Sequence, residues 1–139
     1  MTISPFHLAI PVNDLDKAEA FYGGVIGCKQ GRRSDAWIDF DFFGHQLVTH
    51  FAPEECARPA TNDVDDRQVP VKHFGVVLSP ADWEDLAEKL KAAGMEFIIE
   101  PYTRFAGEPG EQGTFFLLDP AGNALEFKCF KDPDRLFAA

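Results

Sequence analysis

The 139-residue chain is 45% hydrophobic and 26% charged, which excludes a solvated coil, and it shows no short repeat period that would mark a solenoid. A chain of this length buries roughly 70% of its unfolded surface as one domain, so it needs neither disulfides nor a structural metal, and any metal it holds serves function. With 23 acidic against 13 basic side chains and a formal net charge of −10, its field repels phosphate backbones and anionic lipid. No nucleic acid and no membrane is expected as a partner.

No apolar run approaches the ~20 residues of a membrane span. Met1-Thr2-Ile3-Ser4-Pro5 lacks the basic-then-apolar order of a leader. Cys28, Cys56 and Cys129 are odd in number and unrelated in spacing, which fits a reducing compartment, so a cytoplasmic location is expected. The unusual count is 14 Phe, which with two Trp and two Tyr makes the chain 13% aromatic.

Phe6 to Val12 alternates, with Leu8, Ile10 and Val12 on one face and His7, Ala9 and Pro11 on the other, and this predicts a half-buried strand. Asn13-Asp14 offers a cap. Leu15, Ala18, Phe21, Tyr22 and Val25 follow at helical spacing, and Gly23, Gly24 and Gly27 end the helix. Extended segments are predicted over 28–33, 36–43 and 45–52, with Gly44 turning between the last two. Residues 53–70 hold three prolines and the acidic run Asp63, Asp65 and Asp66, and read as a long connection.

The order then repeats. Residues 71–79 predict a strand with Phe74, Val76 and Leu78 on one face and His73, Gly75 and Val77 on the other. Ser79-Pro80-Ala81-Asp82 is a helix start with Ser79 as cap, and Trp83, Leu86, Ala87, Leu90 and Ala93 form its apolar face before Gly94. Three more strands are predicted over 96–104, 113–119 and 123–130.

The chain therefore reads as a single domain over 1–139 of class α+β. It holds two βαβββ modules, over about 5–52 and 71–130, joined by the linker 53–70 and followed by a tail, 131–139. In each module the helix covers one sheet face. Pairing the two uncovered faces makes a curved, cup-like mixed sheet with the helices outside, able to hold a small-molecule substrate.

His7 and His73 occupy equivalent positions in the two first strands, each on the face away from the helix. In the last strand Leu125, Phe127 and Cys129 take the helix face, which leaves Glu126 and Lys128 facing the cup. Two imidazoles and one carboxylate, with positions left open, suit Fe(II) and also Zn, Mn, Ni or Co, so His7, His73 and Glu126 are the candidate metal ligands. Burying Glu126 without a cationic partner would be costly. Gln46 is expected as a neutral oxygen ligand or an orienting partner, and His50, further along the same strand face, reads either as a pocket acid or base or as a rim residue. His45 points the other way. Asp39 and Asp41 read as a solvated strand face, and Trp37 and Phe43 as pocket-lining aromatics.

These stretches resemble the vicinal oxygen chelate superfamily, which groups glyoxalase I, bleomycin-resistance proteins, fosfomycin-resistance enzymes, methylmalonyl-CoA epimerases and extradiol dioxygenases. The resemblance rests on Phe6-His7-Leu8-Ala9-Ile10-Pro11-Val12 with Asp14-Leu15-Asp16-Lys17-Ala18 and Phe21-Tyr22, on Lys72-His73-Phe74-Gly75-Val76, and on Asp119-Pro120-Ala121-Gly122-Asn123-Ala124-Leu125-Glu126-Phe127. It implies the paired βαβββ fold and a divalent metal that chelates adjacent oxygens, with His7, His73 and Glu126 at the ligand positions. Gln46 stands where glyoxalases carry a glutamate and the epimerases a glutamine. Extradiol dioxygenases usually carry a histidine at Gln46 and a tyrosine at Phe116, and this chain has neither. The resemblance implies a lyase, isomerase or dioxygenase and leaves the choice open. A homodimer is expected, with the cup formed within one chain or between exchanged modules. The alternative is a metal-free module that sequesters a small molecule, as the bleomycin-binding relatives do.

Overall fold

A computed structural model describes residues 1–139. The chain divides into two units, residues 1–58 with 119–123 and residues 59–118 with 124–139.

In the first unit, β1 (His7–Val12) leads through the Asp14 cap, whose side chain accepts from the Lys17 N–H, into α1 (Leu15–Ala18). Helix α1 does not continue as an α-helix over the predicted face. From Glu19 to Ile26 it widens into a π-helix that buries Phe21, Tyr22 and Ile26 and leaves Val25 half-exposed. Gly23 and Gly24 bring no side chains to oppose the wider turn. Strands β2 (Lys29–Arg33), β3 (Trp37–Phe42) and β4 (His45–Phe51) complete the sheet in the order β1-β4-β3-β2, with β1 parallel to β4 and the other pairs antiparallel. The β3–β4 turn is Phe43-Gly44, both at positive φ (54° and 88°), the conformation a two-residue hairpin turn requires. This places Phe43 in the turn, 40% exposed, with its ring edge-on against Phe42, and not on the strand face expected for it.

In the second unit the predicted linker is partly a hairpin. After a 3-10 turn at Pro53–Glu55, which belongs to the first unit, β5 (Thr61–Val64) and β6 (Arg67–Pro70) pair antiparallel. Asp65 and Asp66, at φ 51° and 60°, form their turn. The acidic residues that resembled a solvated connection are thus turn formers, which tolerate the left-handed conformation. The predicted strand 71–79 is split into β7 (His73–Phe74) and β8 (Val77–Leu78), both parallel to β11 (Ala124–Phe130). The break falls at Gly75, whose backbone lies so close to the Glu126 carbonyl that a Cβ there would stand 1.5 Å from its oxygen. Helix α2 (Pro80–Ala92) starts as predicted, with Ser79 Oγ accepting from the Asp82 N–H at 3.2 Å, and buries Trp83, Leu86, Ala87 and Leu90. Ala93 is the exposed C-cap and not part of the apolar face. Strands β9 (Phe97–Arg104) and β10 (Gln112–Leu118) give the sheet order β7/β8-β11-β10-β9.

The two units therefore share one topology. In each, the first strand runs parallel to the fourth, and the third and second follow outward, so the repeat inferred from element order is real and the class is α+β. Aromatic residues fill the cores. Phe40 and Tyr22 are buried in the first unit, and Phe115 in the second packs between Trp83 (5.6 Å between centroids) and Phe127 (5.4 Å). No helix is long and apolar enough to cross a membrane.

Candidate functional site

Each unit places a first-strand histidine beside an oxygen-bearing side chain of the fourth strand. In the first unit the parallel β1–β4 register sets His7 opposite Gln46, and His7 Nδ1 lies 2.8 Å from Gln46 Oε1. An amide oxygen only accepts, so Nδ1 donates in this contact, and Nε2 is the ring nitrogen left unengaged by Gln46. Gln46 Nε2 donates at 3.5 Å to Asp39 Oδ2, which also lies 3.4 Å from Arg32 Nε. Asp39 is only 7% exposed, so it is not the solvated residue expected from the alternation. Burial of a carboxylate is sustained here by those two donors. Asp41 is exposed and accepts the Gly44 N–H at 2.7 Å.

The second unit builds the corresponding pair. His73 Nδ1 donates to the Pro70 carbonyl at 2.7 Å, which fixes the ring and turns Nε2 toward Glu126 Oε2, 2.9 Å away. The other Glu126 oxygen accepts from Thr114 Oγ1 at 2.8 Å and has Lys128 Nζ at 3.6 Å. The hydrogen bond to Glu126 raises the His73 pKa against the opposing effect of partial burial. Burial works to raise the Glu126 pKa, but the His73 hydrogen bond, the Lys128 charge and the Thr114 hydroxyl together hold it below the usual carboxylate value. Phe116 completes the surroundings with its ring edge-on to His73, 5.1 Å between centroids.

Four of the five site residues expected from sequence thus fall into two pairs, His7 with Gln46 and His73 with Glu126. Neither unit by itself gathers three His, Cys, Asp or Glu side chains to hold a metal. His50 is not brought to the His7–Gln46 pair of its own unit. It shares the Gln46 face of β4 but lies four residues along it, opposite Trp37 and Pro11, so about 13 Å of strand separates the two. His45 is structural, its Nδ1 accepting the Phe6 N–H at 3.1 Å. Trp37 stays half-exposed on the Asp39 face, with the Arg32 guanidinium 5.8 Å from its ring centroid.

Two features escaped the sequence reading. Thr114 holds Glu126, and strand alternation does place Thr114 on the Glu126 face through the β10–β11 register, so its signal was present. Arg67 reaches Tyr102 from a hairpin that looked like a linker, and nothing in residues 53–70 marked that contact in advance.

The chain matches the family model described as the Glyoxalase/Bleomycin resistance protein/Dioxygenase superfamily over residues 4–127. Among solved structures it is similar to a glyoxalase/bleomycin resistance protein/dioxygenase from Alicyclobacillus acidocaldarius, at 37% identity and a TM-score of 0.80, with 96% of each chain covered. The fold also matches lactoylglutathione lyase from Agrobacterium tumefaciens (22% identity, TM-score 0.69, 99% of this chain and 98% of that one). A genomically encoded fosfomycin resistance protein from Listeria monocytogenes gives 18% identity and a TM-score of 0.71, with 98% of this chain and 100% of that one covered. No curated protein sequence matches the chain significantly.

Proposed function

Because the chain belongs to the glyoxalase/bleomycin resistance protein/dioxygenase superfamily, we propose that it is a divalent-metal-dependent enzyme acting on a small molecule that carries two neighbouring oxygens. His7, His73 and Glu126 are its ligands, and Gln46 is a fourth ligand or the residue that orients His7. The observation that carries this reading is the state of His73. Its Nδ1 proton is committed to the Pro70 carbonyl, and its Nε2 faces an anionic carboxylate at 2.9 Å. Nε2 donates to that carboxylate in the metal-free protein, and a divalent ion would take the place of this proton between the two groups, while the carbonyl behind the ring is the outer-shell support that metal-binding histidines use. The donor set is two imidazole nitrogens, one carboxylate and one amide oxygen, which suits Fe(II), Zn, Mn, Ni or Co.

When bound, the ion supplies Lewis acidity to a chelated pair of substrate oxygens. The residues of the chain hold and tune the donors. Thr114 pins one oxygen of Glu126 and leaves the other to face His73, and the His73 hydrogen bond followed by the Lys128 charge holds the carboxyl below its usual pKa against burial. Gln46, a neutral amide, is no base, so it acts by position. A homodimer that keeps the site in solution is part of this reading.

The test is a titration of metal-free protein with Co(II), read by d–d absorption, followed by a 2-oxo acid. A saturable spectrum that changes when the oxo acid is added supports chelation of neighbouring oxygens. Tight oxo-acid binding that is indifferent to chelators would instead establish a metal-free sequestering protein.

A further inference from the structure

Hairpin β5–β6 delivers a cation to the sheet face that presents Glu126. Arg67, in β6, lies with its guanidinium carbon 3.6 Å from the centroid of the Tyr102 ring, and Asp65 in the turn pairs with Arg104 Nε at 2.6 Å. The register sets Tyr102 opposite Thr114 and Thr114 opposite Lys128, and Thr114 in turn holds Glu126. Tyr102, Arg104, Lys128 and Glu126 therefore share one face, with Arg67 laid over it about two strand spacings, roughly 10 Å, from β11. Beside Arg67 and Tyr102 opens a cavity of about 450 Å³, also lined by Ile98, Ile99, Glu100 and Pro101.

Arg104 is paired with Asp65 and Lys128 with Glu126, but no carboxylate lies within ion-pair distance of Arg67. Its one hydrogen-bond acceptor is the neutral Asp65 carbonyl, 3.2 Å from Nη1. Stacking on Tyr102 fixes the guanidinium plane and leaves edge N–H donors for a bidentate grip, at little further entropic cost. The ion pair between Asp65 and Arg104 already anchors the hairpin. On a chain of net charge −10, a rigid cation with no carboxylate at ion-pair distance, beside a cavity whose wall combines Ile98, Ile99 and Pro101 with Gln68 and Glu100, is a recognition element for an anion.

Resting on the proposed chelation at His73 and Glu126, the geometry points to Arg67 as a specificity-determining residue. It binds an oxyanion, carboxylate or phosphate, at the far end of the substrate. The apolar body between the two ends lies along Ile98, Ile99 and Pro101. The substrate class is thus a small acid with neighbouring oxygens at one end and a second anionic group at the other.

Calorimetric titration of 2-oxoadipate, its phosphonate-ended counterpart and 2-oxohexanoate tests this, in metal-loaded and metal-free protein. The three share one head and differ in the tail. Either doubly anionic probe should bind about tenfold or more tighter than 2-oxohexanoate, and whichever is tighter names the oxyanion. Arg67→Met, which keeps the aliphatic stem over Tyr102, should abolish that preference and leave 2-oxohexanoate unchanged. Arg67→Lys, which keeps the charge but not the planar fork, should retain part of the preference, a partial rescue that misfolding cannot mimic. No binding of the anionic probes, equal binding of all three, or a preference that survives Arg67→Met overturns the assignment. Metal removal reports separately: a preference that persists without metal and is lost in Arg67→Met keeps Arg67 as the anion site while contradicting chelation of the head.

Discussion

His73 Nε2 and Glu126 Oε2 stand 2.9 Å apart on neighbouring parallel strands, with the other imidazole nitrogen committed to the Pro70 carbonyl. Glu126→Gln keeps a partner for Thr114 but removes the charge that faces Nε2. Divalent-metal affinity should fall by about 100-fold or more, beyond the roughly 10–100-fold cost of losing an outer-shell partner. Metal-free stability should change by at most about 1 kcal/mol, because the pair is partly exposed. Metal titration and a thermal melt on the same sample check both, and an unchanged metal affinity would remove Glu126 from the ligand set.

Asp39 is buried and accepts from the Gln46 amide at 3.5 Å. Asp39→Asn should leave the fold intact and lower metal affinity by about 10-fold, since the Gln46 amide is no longer oriented by an anion and the tautomer of His7 is less firmly held. Nitrogen chemical shifts of His7 in the metal-free variant would show a mixed tautomer. A pure Nδ1–H form in the variant would mean that Gln46 is oriented without Asp39.

Gly75 admits no side chain. A Cβ would lie 1.5 Å from the Glu126 carbonyl oxygen, a backbone atom that cannot move without shifting β11. Gly75→Ala should cost about 3 kcal/mol or more, at the upper end of overpacking effects, and should reduce metal binding together with stability. Urea denaturation measures the first. A wild-type midpoint would show that the β7–β8 break relaxes freely.

Tyr22 is fully buried, and its hydroxyl donates to Asp119 Oδ2 at 2.7 Å. Burial first, and the Asp119 charge second, push its pKa well above the usual value of about 10. The phenol ionises more readily in the unfolded chain, so its contribution to stability is complete below that usual value and is lost as pH rises past it. Tyr22→Phe should cost roughly 1.5–3 kcal/mol at neutral pH and flatten the alkaline loss of stability. Unfolding curves at pH 7 and above pH 10 for both proteins compare these, and parallel losses would place the alkaline transition elsewhere.

Period-two alternation and helical spacing made the element order, the repeat and the equivalence of His7 with His73 readable, because both sheets bury one face and leave histidine on the other. What the sequence hid follows from interactions between distant segments. Asp39 looks like any alternating strand acid, and only Arg32 and Gln46, brought beside it by strand pairing, explain its burial. Helix α1 widens at Glu19 into a π-helix that runs through two glycines which periodicity reads as a stop. Residues 61–70 lack the strong alternation of a core strand because their hairpin is largely exposed, and Arg67 acquires its meaning only over Tyr102.

Elemental analysis of the purified protein bears most directly on metal dependence. One divalent ion per His7/His73/Glu126 set should be found, or taken up by metal-free protein, and lost in a His7→Ala, His73→Ala double variant that still folds. A native protein that takes up no divalent ion under any condition would contradict it.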